Sequence, residues 1–363
     1  MAVLQTTLSL TISGTDVTSD LMPDLLSFTY TDNEKDESDE VSVTLKDETG
    51  RWAGSWKPEG GEKVTASIMK GIAPGIPTGM LPCGTFHVDS LRVSGAPRVF
   101  EMRACAIPLN TTIRRRVKTR AWEKTDLKAI AGKIATEAGL TLFWDSEDDV
   151  PTYDRADQDR ESDLKFLGKL CEEAGISVKV TADKLVLFDQ ASYERKPAVK
   201  TITLGVSDVI SWDFSSEQSE KYKSVTVSYR DPKIKKKGTA ASYYNADFEK
   251  VTVKASKNPA VNSFTYTDPN ADENGQEYAL KKRAKSVAEA ERLAKAKLRQ
   301  LNARAVTGSL NLVGDTDLVA GVVIAVSGFG SFDGNFIIER ATHSVSSSGY
   351  TTSLSLRRVN ANY

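Results

Sequence analysis

Apolar and polar positions alternate through the first third of the chain. Residues two apart share a face of a strand, so strands are predicted at Thr7–Ile12, Leu25–Tyr30, Val41–Lys46, Lys63–Met69, Gly84–Val93 and Arg98–Ala106. Turn-forming clusters (SGTD, PEGGE, GIAPGIPTG, SGAP) separate them. Short strands at this spacing predict a barrel or sandwich. The period changes near Ile113. TDLKAIAGKIATEAG puts Leu127, Ile130, Ala131, Ile134 and Ala138 on one helical stripe, with Thr125 as N-cap, Asp126 in the first turn and Gly139 just past the end. SDLKFLGKLCEEAG predicts a second helix from a Ser162 cap to a Gly175 stop, with Leu164, Leu167, Cys171 and Ala174 on the apolar face and Phe166 and Leu170 widening it. LTLFWD reads as a strand between them, and ISVKVTADKLVLFD as a hairpin across Ala182-Asp183. Strand patterning resumes after Pro197 with TITLGVSDVISWDF. The spacing of Leu280, Ala284, Val287, Ala294, Leu298 and Leu301 predicts one helix over 279–303, and four alternating strands follow.

These elements divide the chain into a β domain at 1–112, a small α+β insert at 113–197 and a second β domain at 198–363. The last carries a polar insertion at about 232–278 ahead of its helix. The fold class is mainly β with an α+β insert.

The two β parts echo each other. DLLSFTYTDNEKDESDEVSVTLKD, residues 24–47, aligns without a gap on DVISWDFSSEQSEKYKSVTVSYRD, residues 208–231. Asp24, Ser27, Val41, Val43 and Asp47 meet identical residues, Phe28 meets Trp212, and Tyr30 meets Phe214. Each copy reads as a hairpin. GTFHVDSLRV from Gly84 and GNFIIERATHSV from Gly334 form a second echo. Strand patterns are degenerate, so two unrelated hairpins are one reading. An internal duplication into two related β units is the other.

Apolar content of 40% and charged content of 27% suit an ordinary globular protein long enough for two or three cores. A net charge of −1 argues against a dedicated nucleic-acid or membrane-surface binder. Cys83, Cys105 and Cys171 are too few and scattered for a disulfide framework, which predicts reduced thiols in a cytoplasmic setting. TTLSLTIS near the N-terminus alternates like a strand rather than a signal peptide, and no apolar run approaches the roughly 20 residues of a membrane span.

The residues predict no catalytic, cofactor-binding or metal-ligating site. His87 and His343 sit in separate strands, and nucleophile-elbow, zinc-protease, phosphate-loop and dinucleotide motifs are missing. Asp145, Glu147, Asp148, Asp149, Asp154, Asp157 and Asp159 read as a solvated acidic loop without calcium-loop spacing. Lys233, Lys235, Lys236 and Lys237, interleaved with Ile234, read as a solvated loop tip, and Arg114, Arg115 and Arg116 as a connector or docking strip. What remains is architecture: three copies of a chain with two similar units would present six units around a closed threefold ring.

The sequence resembles the phage late control gene D proteins, the baseplate hub proteins of contractile tails. The resemblance rests on YTDNEKDESDEVSVTLKD, GTFHVDS, ESDLKFLGKLCEEAGISVKVTADKLVLFD and LVAGVVIAVSGFGSFDGNFIIERATHSVSSSGYTTSLSL, in that order. The family is similar in fold to the N-terminal part of the valine-glycine-repeat spike proteins of type VI secretion. The resemblance implies two tube-like β-barrel domains per subunit and a homotrimeric ring adapting a hexameric tail tube, or its initiator, to a trimeric central spike. It implies contacts with other baseplate wedge proteins, a lumen passing tape measure protein and DNA, and no membrane partner at rest. It also implies that the spike and any wall-digesting module are separate polypeptides, since the chain ends at Tyr363 just after the last barrel strand. Lumen-facing positions are expected to be neutral or acidic, because a basic bore would hold phosphate. Competing readings are a distal tail or fibre-attachment protein, a wall carbohydrate-binding accessory protein using Trp52 and Trp56, and a nucleic-acid binder using KIKKK.

Overall fold

A computed structural model describes residues 5–35, 37–73, 76–107, 112–146, 150–217, 221–229, 242–244, 250–252, 262–269, 271 and 274–359. The first β unit contains β1 (Gln5–Ile12), β2 (Leu25–Asn33), β3 (Glu40–Lys46), β4 (Lys63–Ala73), β5 (Ile76–Ser94) and β6 (Val99–Cys105). They hydrogen-bond in the order β1-β4-β5-β6-β3-β2. Their alternation does what the pattern predicts: Leu8, Leu10, Phe28, Val41, Val43, Val64, Ile68, Phe86, Phe100 and Met102 share one core. A chain of methyl and aromatic groups of this size outweighs any single polar contact in the unit, at about 25 cal/mol per Å² removed from water.

The insert holds β7 (Val117–Asp126), α1 (Leu127–Glu137), β8 (Thr141–Asp145), β9 (Thr152–Ser162), α2 (Asp163–Ala174), β10 (Ile176–Val180), β11 (Lys184–Asp189) and α3 (Gln190–Glu194). β10 and β11 form the hairpin, and β8 joins β11 in parallel. Two details differ from the sequence reading. Asp126, not Thr125, caps α1, its Oδ1 accepting from Ala129 N at 2.8 Å. The acidic stretch is mostly strand rather than loop: β9 pairs antiparallel with β7, a strand that starts just after Arg114–Arg116 and that the alternation did not predict. Neither strand alternates cleanly, because opposed charges do part of the work of hydrophobic pairing. Arg120 bonds Gln158, Glu137 and Asp163 at 2.8–2.9 Å and stacks on Trp122.

The second β unit contains β12 (Lys200–Thr203) and β13 (Val209–Ser216), then β14 (Tyr222–Tyr229), β15 (Asn262–Thr267), β16 (Gln276–Ala284) and α4 (Val287–Asn302). It ends with β17 (Val306–Val313), β18 (Val323–Ser327), β19 (Gly334–Ser346) and β20 (Gly349–Arg358). Its sheet order is β12-β18-β19-β20-β17-β13. In chain order within each unit, both sheets read first, fourth, fifth, sixth, third, second.

The match extends to individual pairs. Val64 faces Phe86 as Ile324 faces Phe336, and Val88 faces Ala104 as Ile338 faces Leu356. Phe28 faces Val43 as Trp212 faces Leu310. Register shifts recur at Val88/Ser90 and Ile338/Arg340, and at Leu25/Ser27 and Val209/Ser211. Direction differs at one ladder: β1 runs antiparallel to β4, whereas β12 runs parallel to β18.

This order corrects the hairpin expected at 208–231. β13 does match β2, but the partner matching β3 is β17, while β14 leaves for a separate sheet, β15-β14-β16. There Val225, Val227 and Tyr229 pack against Ala290, Leu293, Ala294 and Leu298 of α4. An alternating strand satisfies any apolar face, and here a helix supplied it. The helix itself is shorter than expected. Leu280 and Ala284 lie in β16, and α4 starts where Ser286 Oγ accepts from Glu289 N. Most of the polar insertion, with Lys233, Lys235, Lys236 and Lys237, lies outside the described residues, as do Glu147, Asp148 and Asp149.

Closed barrels were expected, but the ladders form one open sheet. Instead of returning to β1, β2 bonds β19 through Asn33↔Arg340 to Ser27↔Ser346, so the two units share a continuous run of strands.

Candidate docking interfaces

The junction between the units buries a network of charged side chains. Arg357, on β20, is buried and faces Glu34 and Glu339 at 3.2 Å, together with Glu194 of α3. Arg299 of α4 reaches Glu194 at 3.4 Å. Burial pushes the Glu34 carboxyl up against the pull of Arg357. One guanidinium thus ties together the first unit, the insert and the second unit. Such a network fixes geometry more than it adds stability, because desolvation consumes most of its Coulomb energy.

A second clamp joins insert to first unit. Lys179 of β10 contacts Asp32 at 2.8 Å and Asp39 at 3.0 Å, and donates to the Asn33 carbonyl at 2.6 Å. Burial raises the Asp39 carboxyl to about 6, with Lys179 opposing and Asp32 adding to the rise. Asp32 also accepts from Ala320 N at 2.9 Å, so it touches all three parts.

His343 belongs to this junction and to no catalytic set. Its Nε2 donates to the Leu318 carbonyl at 3.1 Å, which leaves Nδ1 to accept from the Tyr350 hydroxyl at 2.8 Å. Tyr30 stacks on the ring across the β2–β19 ladder. Burial lowers the imidazole to about 4, so it is neutral at pH 7. His87 lies far along β5 with its Nδ1 near the Gly61 carbonyl. Among the described residues no group of three or more His, Cys, Asp or Glu is placed to hold a metal.

Of the aromatic pair in RWAGSWKPEGG, Trp52 is buried in its own unit and Trp56 lies exposed against it. Trp52 is 3% exposed and its Nε1 donates to Asp24 at 2.8 Å; Trp56 stands edge-on to it, with Arg51 over both rings. Arg114 and Arg115, in the one-turn helix Thr112–Arg115, and Arg116 just after it are exposed. Cys83 and Cys171 are buried thiols, the former pushed up to about 12 by burial, which leaves it unreactive.

Sequence reasoning missed one surface. Exposed large apolar side chains gather along β12, β13 and the loop between them: Val199, Leu204, Val206, Ile210 and Trp212. Opposite β17, the other edge of β13 meets no strand from Ile210 to Ser215 among the described residues. A similar bare edge lies on β5. Its β4 ladder ends at His87, and Val88 exchanges bonds with Gly61 and Glu62, so among the described residues β6 is the strand that Ser90–Ser94 bond. Unpaired edges with apolar neighbours are pairing templates. The signal in the sequence was the Trp212–Phe214 alternation, which the hairpin reading had spent on burial.

Comparison with known proteins fits a surface built for assembly. Residues 99–349 match the family model for the phage tail baseplate hub (GPD). The chain is 29% identical over 370 residues to the probable baseplate hub protein of Escherichia phage 186, covering 96% of this chain and 91% of that one. Its fold is similar to the prophage MuSo2 43 kDa tail protein from Shewanella oneidensis, with TM-score 0.67, 12% identity and coverage of 98% and 99%. It is also similar to the E. coli c3393 protein, a component of the type VI secretion system, with TM-score 0.56, 12% identity and coverage of 99% and 78%.

Proposed function

The chain belongs to the phage tail baseplate hub (GPD) family, structural proteins of the virion tail rather than enzymes, and from that premise we propose that three copies close into a ring of six similar β units. One face of the ring meets a hexameric tail tube or its initiator, and the other holds a trimeric central spike. Baseplate wedge proteins surround it, and its bore passes tape measure protein and DNA. The two units arose by duplication, each supplying one tube-like segment.

The observation that carries this reading is the strand order shared by the two units, with their shared registers and shared bulge positions. Chance gives two sheets the same order far less readily than it gives two strands the same alternation. A chain with two equivalent segments is the physical requirement for presenting sixfold symmetry from three copies. The net charge of −1 is compatible with a bore that releases DNA, and the proposal places neutral or acidic side chains there. End-on electron-microscope averages of the hub on its spike test the reading. Six lobes about a threefold axis support it; particles without a threefold axis contradict it.

A further inference from the structure

Within the chain, β2 of the first unit lays its outer edge on the second half of β19. By the register matches above, the equivalent of β2 is β13, and the equivalent of that half of β19 is Ser90–Ser94 of β5. Among the described residues of a single copy, neither equivalent meets a strand on that edge. We propose that β13 of one copy pairs antiparallel with Ser90–Ser94 of the next, repeating between copies the junction that β2 and β19 make within one. This rests on the ring reading and names its contact.

The register follows. Thr342↔Thr31, His343↔Tyr30 and Ser344↔Thr29 within the chain become Arg92↔Ser215, Val93↔Phe214 and Ser94↔Asp213 between copies. The side chains agree with this assignment. Phe28 and His343 are fully buried inside the internal junction. Their equivalents, Trp212 and Val93, are 48% and 47% exposed in the single chain. A second copy seated in this register covers both. The obstruction that blocks the same ladder from forming internally is topological: β13 ends the strand run, and β5 lies on the far side of the β2–β19 junction, separated from it by β17, β20, β19, β2, β3 and β6. Edge and receiver are different surfaces, so the contact is head-to-tail, the type that closes into rings. Backbone bonds supply the pairing and Trp212 the apolar anchor.

Cysteine cross-linking in the full chain tests the register. Arg92 and Ser215 point to the exterior side of the proposed ladder, by analogy with half-buried Thr342 and Thr31. Directly opposite positions sit about 4.5–5.5 Å apart, within disulfide reach. The Arg92→Cys, Ser215→Cys double variant is expected to give a covalent three-chain product on a non-reducing gel after mild oxidation. Each single variant, and the shifted pair Arg92→Cys, Asp213→Cys, is expected to give little. Trp212→Glu, at a position exposed in the monomer, is expected to stay folded and weaken self-association by on the order of 30-fold. Solution mass separates the two levels of failure. Trimers that cross-link through the shifted pair, or through neither, overturn the edge assignment and leave the ring. A chain that stays monomeric both alone and with its spike overturns ring and edge together.

Discussion

Arg357 holds three parts of the chain at one point, and its removal leaves Glu34 and Glu194 buried without their main cation. Arg357→Met is expected to destabilise the chain by about 3–5 kcal/mol in denaturant unfolding, because an orphaned buried charge costs more than the pair was worth. His343 gives a pH signature. Its folded value, about 4, lies below the ordinary 6.5, so the unfolded chain binds the extra proton first. The stabilisation is complete above pH 6.5 and is lost as pH falls towards 4, by at most about 3 kcal/mol. Asp39, raised to about 6, acts in the opposite sense, favouring the folded chain as pH falls through 6. The His343 contribution is therefore read as a difference: His343→Gln is expected to flatten the decline between pH 6.5 and 4 relative to the unaltered chain. An unchanged slope would show that burial does not hold the imidazole neutral. Nothing in a lone histidine or arginine within a strand pattern announces such a junction; partners hundreds of residues apart become neighbours only through the fold.

At the scale of elements, strands with one clean apolar face were legible, and elements whose partner lay elsewhere were not. β2 and β3 match their predicted hairpin because both faces of the argument, alternation and a short connection, point to one partner. β14 carries the same alternation but meets α4. β7 and β9 were missed because charge pairs replace the apolar period. The start of α4 was legible in S-V-A-E, a capping box at Ser286 and Glu289, and the apolar spacing that extended the helix back to 279 overrode it. Ser286→Ala is expected to cost about 1 kcal/mol of thermal or denaturant stability. Gly308 offers a sharper test of equivalence between the units. It stands where the first unit has Val41, and a Cβ there would run into the Phe214 ring. Gly308→Val is expected to destabilise by about 1–3 kcal/mol despite copying its counterpart, and Phe214→Ala in the same chain to recover part of that loss.

For the whole molecule, the shared strand order of the two units was visible in sequence only where inward-facing residues coincide, at the first strand of one echo and across the second. The alignment of 24–47 on 208–231 joined a true match, β2 with β13, to a false one, β3 with β14. The insertion between β13 and β17 had displaced the real counterpart. The bare edges were illegible for a different reason. An edge is defined by the absence of a neighbour, and only the assembled sheet shows which strands end without one. The central claim, that this chain works as one third of a ring, is open to one direct measurement. Native mass spectrometry of the chain, alone and co-expressed with its spike protein, weighs the assembly. The account predicts a closed species of three 39.6 kDa chains, with the spike's three added in the complex; a species of one, two or six hub chains in both preparations would contradict it.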